Sequence, residues 1–310
     1  MLAPGAVALA ALLACWPLAA PAAAQPVPAA AGHPSASVAW LPERPGEGEI
    51  FVVRVEPPAD EDDPVALIAG RAGQEPLHFV RGDDGAFESL AAVPLGRQDT
   101  LPIELTIVHA SGREEVVRRE APVSPGVYEH RRLTVDPELG SPPDSAQRAR
   151  RERETRRAME VSAAAHRTPR MWSLPIRMPR EGRVTSTFGQ GRIFNGQVSS
   201  RHTGLDLQGQ TGDTVVAAAR GIVALADTFE LAGRMVYINH GGGLVTAYFH
   251  LSEQLVAEGD TVEAGQPIGR VGATGRVTGP HLHWVVRYGE TSVDPRSLLA
   301  LSASHEGEPD

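Results

Sequence analysis

Short runs rich in β-branched residues alternate with polar turn clusters in the part of the chain that follows the amino terminus. The runs occupy residues 50–55, 101–109 and 115–119, and the glycine- and aspartate-rich stretch at residues 81–85 is typical of the turns between them. Several short strands at this spacing are typical of a small β-sandwich. The pattern therefore predicts an amino-terminal β-sandwich domain over residues 37–135.

Charged residues replace the apolar runs after residue 141. Asp144 followed by Gln147 three positions later is a capping-box arrangement, which predicts a helix over residues 144–165. Arginine and glutamate are interleaved along this segment, so we expect a solvent-facing connector with charge pairs along the helix. We assign residues 136–170 to an Arg-rich helical linker.

Strand-like runs return after Trp172 and are joined by glycine-rich turns. They lie at residues 183–188, 214–218, 222–226, 235–239, 244–250 and 281–287. No long helix is indicated, so the pattern predicts a second, nearly all-β domain over residues 171–302. The predicted fold class is therefore mainly β, with a helical linker between two β-domains.

The first residues of the chain have the composition of an export signal. Residues 1–42 contain no Asp, Glu, Lys or Arg, and residues 6–20 are rich in alanine and leucine. Small residues up to Ala24 suit signal-peptidase cleavage, which predicts a signal peptide over residues 1–24. The alternative is a lipobox whose Cys15 is acylated after cleavage. Both interpretations predict an exported protein in the periplasm or cell envelope, and no later segment is apolar enough to span a membrane.

Composition excludes several classes of function. All 29 basic residues are arginine, and 38 acidic residues leave a net charge of -9, which argues against nucleic-acid binding through a basic surface. Without lysine the chain has no Schiff-base or P-loop lysine. It also cannot be a lipoyl or biotinyl carrier, although residues 258–269 are similar to half of a carrier barrel; we expect a turn and a strand edge there. The single Cys15 cannot form an internal disulfide.

Two histidine motifs in the second domain indicate a metal site. In an extended segment, residues an even number apart point to the same face, so His202 and Asp206 can reach one ion, with Gly204 allowing a bend between them. His281 and His283, two residues apart on a predicted strand, also share a face. Two histidines and one carboxylate leave a zinc coordination position open for water, which is the pattern of a catalytic site, whereas structural zinc sites are usually closed and rich in cysteine.

A third motif places Tyr248 and His250 two residues apart at the end of a predicted strand, which predicts a shared face for them as well. His240 lies at the preceding glycine turn. We interpret it as a structural histidine that hydrogen-bonds the hairpin, and leave it out of the site.

Three ordered motifs together resemble the M23 family of zinc metallopeptidases, the LytM/lysostaphin-type peptidoglycan endopeptidases. They are H-x-x-x-D from His202, Y-x-H-L-S from Tyr248, and the stretch at residues 272–284 that ends in G-P-H-L-H-W. The resemblance covers residues 179–299. It implies a LytM-like antiparallel β-sheet or barrel-sandwich hybrid domain. More weakly, the first domain resembles the amino-terminal module of an exported bacterial subgroup of this family.

The resemblance also implies roles for individual residues. His202, Asp206 and His283 would bind one Zn²⁺ per catalytic domain, and His250 and His281 would be the catalytic histidines. We expect His281 to act as general base and His250 to assist the oxyanion or the leaving amine, with exchange of the two roles left open. Tyr248 is a further candidate for oxyanion support.

The implied function is hydrolysis of the peptide cross-links of bacterial peptidoglycan during cell-wall remodelling. The alternative is a non-catalytic, peptidoglycan-binding regulator of cell-wall amidases; such relatives resemble the same domain with the ligands lost, whereas none of the five residues is replaced here. The expected partners are stem and cross-link peptides, with no nucleic acid and an unknown regulatory protein.

Several parts of the chain are candidates for flanking or covering the predicted zinc site. Two segments are candidates for loops beside the groove that would hold zinc and substrate, at residues 192–196 and 228–234. The alternative is that both are ordinary connecting loops. We expect the amino-terminal domain or the Arg-rich helix to limit access to the zinc groove, the alternative being a passive spacer or wall-docking module.

Overall fold

A computed structural model describes residues 35–58, 62–132, 143–194 and 197–306. The predicted signal peptide, Ala24 and Cys15 lie outside the described residues. None of the described helices combines the length and the apolar character needed to cross a bilayer. The described residues belong to one compact unit.

The amino-terminal part is a sandwich of two antiparallel four-stranded sheets, with strand orders β1-β2-β6-β5 and β4-β3-β7-β8. Its strands are β1 (Ser37–Leu41), β2 (Ile50–Glu56), β3 (Val65–Ala72), β4 (Glu75–His78), β5 (Val80–Arg81), β6 (Phe87–Ala92), β7 (Thr100–His109) and β8 (Glu114–Pro122). On β7, Leu101, Ile103, Leu105 and Ile107 alternate with partly exposed residues and are fully buried. They share one apolar core with Phe51 of β2, as a two-layer sandwich requires.

The linker contains a short strand β9 (His130–Arg132), helix α1 (Ser145–Ala163) and a 3₁₀ helix at Ala164–Arg167. The predicted capping box is confirmed: Gln147 N donates to Asp144 Oδ1 at 2.8 Å, and Asp144 N donates to Gln147 Oε1 at 3.0 Å. Most of the helix is exposed and Arg150 pairs with Glu154 four residues later, as expected. The helix is not wholly solvent-facing, however, because Ala158 and Ser162 are buried.

The carboxy-terminal domain is built on one large antiparallel sheet of order β10-β13-β21-β17-β16-β15-β19, with β22 beside β21. Its elements are β10 (Val184–Ser186), β11 (Gly191–Phe194), β12 (Gln197–Arg201), β13 (Leu205–Gln208), β14 (Thr214–Val216), β15 (Gly221–Phe229), β16 (Gly233–Gly241), β17 (Leu244–Leu251), β18 (Glu253–Gln254), β19 (Thr261–Val262), β20 (Pro267–Arg270), β21 (His281–Tyr288), β22 (Thr291–Val293) and α2 (Pro295–Glu306). Two small sheets have orders β14-β20-β18 and β12-β11-β9.

The mainly β, antiparallel fold class is confirmed. The carrier-like segment forms β19, which lies at the edge of the large sheet as expected, and enters β20, which is instead the central strand of the small β14-β20-β18 sheet. Helix α2 is an element that the sequence pattern did not indicate.

Both faces of the large sheet are covered. One face carries Val236, Tyr248 and Trp284, which share an apolar core with Ile50 and Leu90 of the sandwich. The other carries six core residues that pack with Ala158 and Ala165 of the linker; these are Leu225, Met235, Tyr237, Val245, Ala247 and Val285. The sandwich and the linker therefore complete the core of the carboxy-terminal domain. The predicted boundaries at residues 135 and 171 stay predictions about folding units.

A buried polar network joins the sandwich to the carboxy-terminal domain at Glu75. Oε1 of Glu75 accepts hydrogen bonds from the backbone N–H of Glu290 and Thr291, both at 3.0 Å, and from the Thr291 hydroxyl at 2.8 Å. Its Oε2 lies 2.8 Å from His166 Nε2, and His166 Nδ1 lies 2.8 Å from His78 Nε2. One carboxylate thus ties together three segments that are distant in sequence.

We expect Glu75→Gln to lower the free energy of unfolding at pH 7 by about 2 kcal/mol. Burial alone would raise the pKa of Glu75, but hydrogen bonds with His166 and Thr291 outweigh burial and hold the pKa below its ordinary value. A lowered folded-state pKa stabilises the fold above the unfolded-state value of about 4.3, and this contribution is lost as the pH falls through the folded-state pKa. The difference between wild type and variant should therefore shrink in acid.

Urea unfolding at pH 7 and in acid measures this difference. The control is Glu104→Gln, because Glu104 forms an exposed ion pair with Arg71, and such pairs contribute little to stability. A Glu75→Gln effect that is equally large at both pH values would contradict the assignment.

Candidate metal centre

Strand pairing brings the two predicted ligand motifs together. β13 runs antiparallel to β21, with Asp206 opposite His283 and Gln208 opposite His281. Paired residues point to the same face of a sheet, so Asp206, His281 and His283 share the face that carries Val285. His202 precedes β13 and reaches the same point. Gly204 lies between them, and a Cβ there would come within 2.5 Å of the Trp284 carbonyl and 2.8 Å of the His283 ring.

Three donor atoms converge in this cluster. His283 Nδ1 lies 2.7 Å and His202 Nε2 lies 3.0 Å from Asp206 Oδ1, and the two nitrogens are 2.9 Å apart. All three side chains are buried. Among the residues that the structure describes, this is the one group of three or more His, Cys, Asp or Glu whose ligand atoms all lie within 4.8 Å.

The hydrogen bonds around the cluster determine which nitrogen of His202 faces it. His202 Nδ1 lies 2.8 Å from the carbonyl oxygen of Thr187. A carbonyl only accepts, so Nδ1 carries the proton and the lone pair of Nε2 faces the cluster. A histidine ligand held by a carbonyl in this way is typical of metal sites. Two imidazole nitrogens and a carboxylate oxygen at one buried point fit a Zn²⁺ ion.

Asp206 carries the negative charge of the site. Burial alone would raise its pKa, but hydrogen bonds with His202 and His283 outweigh burial and hold the pKa well below its ordinary value. The carboxylate is therefore ionised over the whole physiological range, as metal binding requires.

His250 and His281 lie beside the cluster with their ring centroids 4.9 Å apart. Nδ1 of His250 lies 2.9 Å from the Thr274 carbonyl oxygen, and Nδ1 of His281 lies 2.9 Å from that of Gly279. In each neutral ring Nε2 is therefore the unprotonated nitrogen. Burial is the main cause that lowers the pKa of His250 to about 4, so this ring is neutral at pH 7.

The expectation that Tyr248 and His250 share a face is wrong. Tyr248 is fully buried on the core face beside Trp284, and its hydroxyl accepts a hydrogen bond from Ala218 N at 2.9 Å and lies 2.8 Å from Thr246 Oγ1. His250 has a φ of 64°, the left-handed region, and this breaks the alternation of the strand. Its ring thus reaches the face of His283, whereas the Tyr248 hydroxyl is committed to the core and does not support an oxyanion.

Tyr248→Phe is therefore expected to reduce stability and not catalysis. The substitution leaves the buried Ala218 N–H without its acceptor, which costs about 1–3 kcal/mol. Thermal unfolding and peptide-hydrolysis rates of the same preparation measure the two effects. A large fall in kcat with unchanged stability would contradict this structural role and indicate that Tyr248 takes part in catalysis.

His240 lies outside the cluster, as predicted. It is fully buried, with Nδ1 2.8 Å from the Arg220 carbonyl oxygen and Nε2 2.7 Å from Thr246 Oγ1. Burial lowers its pKa to about 4, which keeps it neutral in this structural role.

Phe249 is a neighbour of the site that sequence reasoning missed. Its ring stacks on His283 with centroids 5.3 Å apart and an interplanar angle of 30°. Phe249 pairs with His283 across β17 and β21, so its place beside the site follows from strand register. The carbonyls of Thr187 and Thr274 were also missed, because a backbone acceptor leaves no signal in side-chain identity.

The two segments expected beside the groove differ in their relation to the site. Residues 228–234 are the end of β15, the turn at residues 230–232 and the start of β16. Ala232 O in this turn accepts a hydrogen bond from His250 N at 2.9 Å, so the turn contacts the site directly. Residues 192–194 belong to β11, and residues 195 and 196 lie outside the described residues.

Comparison with known proteins finds similarity to one peptidase family over the carboxy-terminal part of the chain. Residues 200–295 match peptidase family M23. Over 118 residues the chain is 38% identical to peptidoglycan DD-endopeptidase ShyC of Vibrio cholerae, and over 131 residues 35% identical to murein hydrolase activator NlpD of Escherichia coli. These matches cover 37% and 41% of this chain, but only 27% and 32% of the two relatives. A crystal structure of an M23 peptidase candidate from Pseudomonas aeruginosa is similar with a TM-score of 0.60 and 27% identity, covering 82% of this chain and 94% of that one.

Proposed function

We propose that this chain, whose carboxy-terminal domain belongs to peptidase family M23, is a zinc metalloendopeptidase that hydrolyses peptide cross-links of bacterial peptidoglycan. The observation that carries the proposal is the intact set of His202, Asp206 and His283 beside His250 and His281. Its substrate lies in the cell envelope, so the proposal places the protein there, in agreement with the predicted export signal.

The metal would be held by His202 Nε2, Asp206 Oδ1 and His283 Nδ1. A bound zinc ion supplies Lewis acidity, which polarises the scissile carbonyl and acidifies water. Asp206 offsets part of the metal charge, and the Thr187 carbonyl fixes the tautomer of His202.

His281 and His250 are the groups beside the cluster that are available for proton transfer. Because both Nδ1 atoms are held by carbonyls, each neutral ring presents Nε2 as a proton acceptor. His281 Nε2 lies 3.7 Å from Asp206 Oδ1, which places this proton acceptor beside the three donor atoms. We therefore assign His281 as general base. In this arrangement neither ring can donate from Nε2 until it has gained a proton there. His281 therefore takes the proton from water and returns it to the leaving amine, whereas neutral His250 offers an acceptor and does not donate to the oxyanion.

The bond proposed to be cut is the direct cross-link between D-alanine and a diamino acid. The supporting observation is the similarity to a protein named a DD-endopeptidase. The alternative function, a non-catalytic regulator of amidases, is favoured by the similarity to a murein hydrolase activator. Against this alternative stands the complete set of five site residues.

Purified cross-linked muropeptides provide the test. We expect the full-length protein to convert cross-linked dimers to monomers, to lose this activity with a chelator, and to regain it with zinc but not with magnesium. Cleavage that persists in chelator, or no cleavage after zinc is restored, would refute the enzyme proposal.

A further inference from the structure

The turn at residues 187–190 fixes the position of His202. Gly189 N donates to the His202 carbonyl at 2.8 Å, and His202 N donates to the Gln190 carbonyl at 2.9 Å. The Thr187 carbonyl receives the side-chain Nδ1–H of the same histidine. Backbone and ring of His202 are thus both held by this turn, and any shift of the turn moves Nε2 within the cluster.

Tyr128 packs against this turn from the segment that leaves the sandwich. Its ring meets the buried Phe188 edge-on at a centroid distance of 6.5 Å, and the Arg201 guanidinium lies 5.4 Å from the ring centroid. Gly189 has a φ of 76° and lies so close to the Tyr128 ring that a Cβ would overlap it. The absence of a side chain at Gly189 is what allows the aromatic ring to lie on the turn.

Tyr128 is itself anchored in the sandwich by Glu47. The Tyr128 hydroxyl donates to the Glu47 carbonyl. The buried Glu47 carboxylate accepts hydrogen bonds from Gly96 N at 2.7 Å and from Gly126 N at 3.2 Å, which fixes the backbone two residues before the tyrosine. Two residues after it, β9 pairs in parallel with β11, with His130 opposite Gly191. The backbone is therefore fixed both before and after Tyr128, and this fixes the position of its ring.

We propose that Tyr128 is a positioning residue for the metal ligand His202. Through Tyr128 the sandwich fixes the turn that holds this ligand in place. The inference rests on the proposed metal site. It assigns the amino-terminal domain a role that is neither a passive spacer nor a barrier to the groove. A ligand whose turn is clamped loses less conformational freedom when the metal binds, so the clamp increases metal affinity.

Zinc affinity of full-length variants tests the proposal, measured by competition with a chromophoric chelator and by the absorption spectrum of the Co²⁺-substituted protein. We expect Tyr128→Ala to weaken zinc binding about tenfold and to change the Co²⁺ spectrum. Tyr128→Phe keeps the ring on Gly189 but loses the hydroxyl that donates to Glu47, so it should weaken zinc binding less than Tyr128→Ala does. Tyr128→Leu retains apolar volume without the ring and should also bind more weakly, which decides the question if Tyr128→Ala does not fold.

The matched control is Tyr288→Phe. The Tyr288 hydroxyl donates to the Pro76 carbonyl at 2.8 Å, so its loss weakens another contact between the same two parts of the chain, away from the turn. Wild-type affinity in both Tyr128→Ala and Tyr128→Leu would overturn the proposal. So would an equal loss in Tyr288→Phe, because the effect would then reflect general loosening. A wild-type protein that binds no zinc would instead overturn the metal site itself.

Discussion

Asp206→Ala is expected to abolish zinc binding and cross-link hydrolysis together. Asp206 is the one carboxylate of the cluster, and its Oδ1 lies within 3.0 Å of both ligand nitrogens. Changes outside the ligand sphere already cost about 10–100-fold in metal affinity, and this substitution removes a ligand and its charge. We therefore expect an affinity loss well beyond about 100-fold and hydrolysis at background.

Metal analysis after gel filtration and the muropeptide assay measure the two losses. The control is Asp260→Ala, which removes an exposed carboxylate that accepts from Ala257 N in a surface turn of the same domain. Hydrolysis by a metal-free Asp206→Ala protein would contradict the mechanism. The same variant separates the two functions in cells: an amidase regulator should keep its effect on the wall, whereas an enzyme should lose it.

His281→Ala is expected to keep zinc but lose most of the activity. The structure places His281 beside the three donor atoms, with Nε2 3.7 Å from Asp206 Oδ1, beyond hydrogen-bonding distance. A positioned acid–base group contributes about 10²–10⁴-fold to a rate. The loss should appear in kcat, with KM for the muropeptide little changed, because the imidazole acts on the proton and not on substrate binding.

Zinc content determined beside kcat checks this separation. His240→Gln is the matched control, since it alters a buried histidine of the same domain that lies outside the cluster; it should lower stability and leave the rate per folded molecule unchanged. If zinc content and activity fall in proportion in His281→Ala, the residue is a ligand and not the general base.

Much of the fold could be predicted because its causes are local. The alternation of Leu101 to Ile107 fixes which face of β7 is buried, and Asp144 with Gln147 starts α1 through hydrogen bonds within four residues. The shared face of His281 and His283 follows from strand geometry alone. That Asp206 lies opposite His283 depends on the pairing of strands about eighty residues apart, which periodicity does not encode.

The errors have physical causes of a different kind. Tyr248 and His250 obey the alternation rule only if the strand stays regular, and the left-handed backbone of His250 breaks it. The many charged residues of the linker obscured the small residues Ala158 of α1 and Ala165 of the 3₁₀ helix, which pack in one cluster with Tyr237 and Val245. The tautomer of His202 depends on the Thr187 carbonyl, which every residue type would supply equally well.

The apolar surfaces on both faces of the large sheet have a consequence for proteolysis between the domains of this protein. Ile50 and Leu90 complete the core on one face, and Ala158 and Ala165 complete it on the other. Proteolytic release of the carboxy-terminal domain would uncover both surfaces at once and favour aggregation.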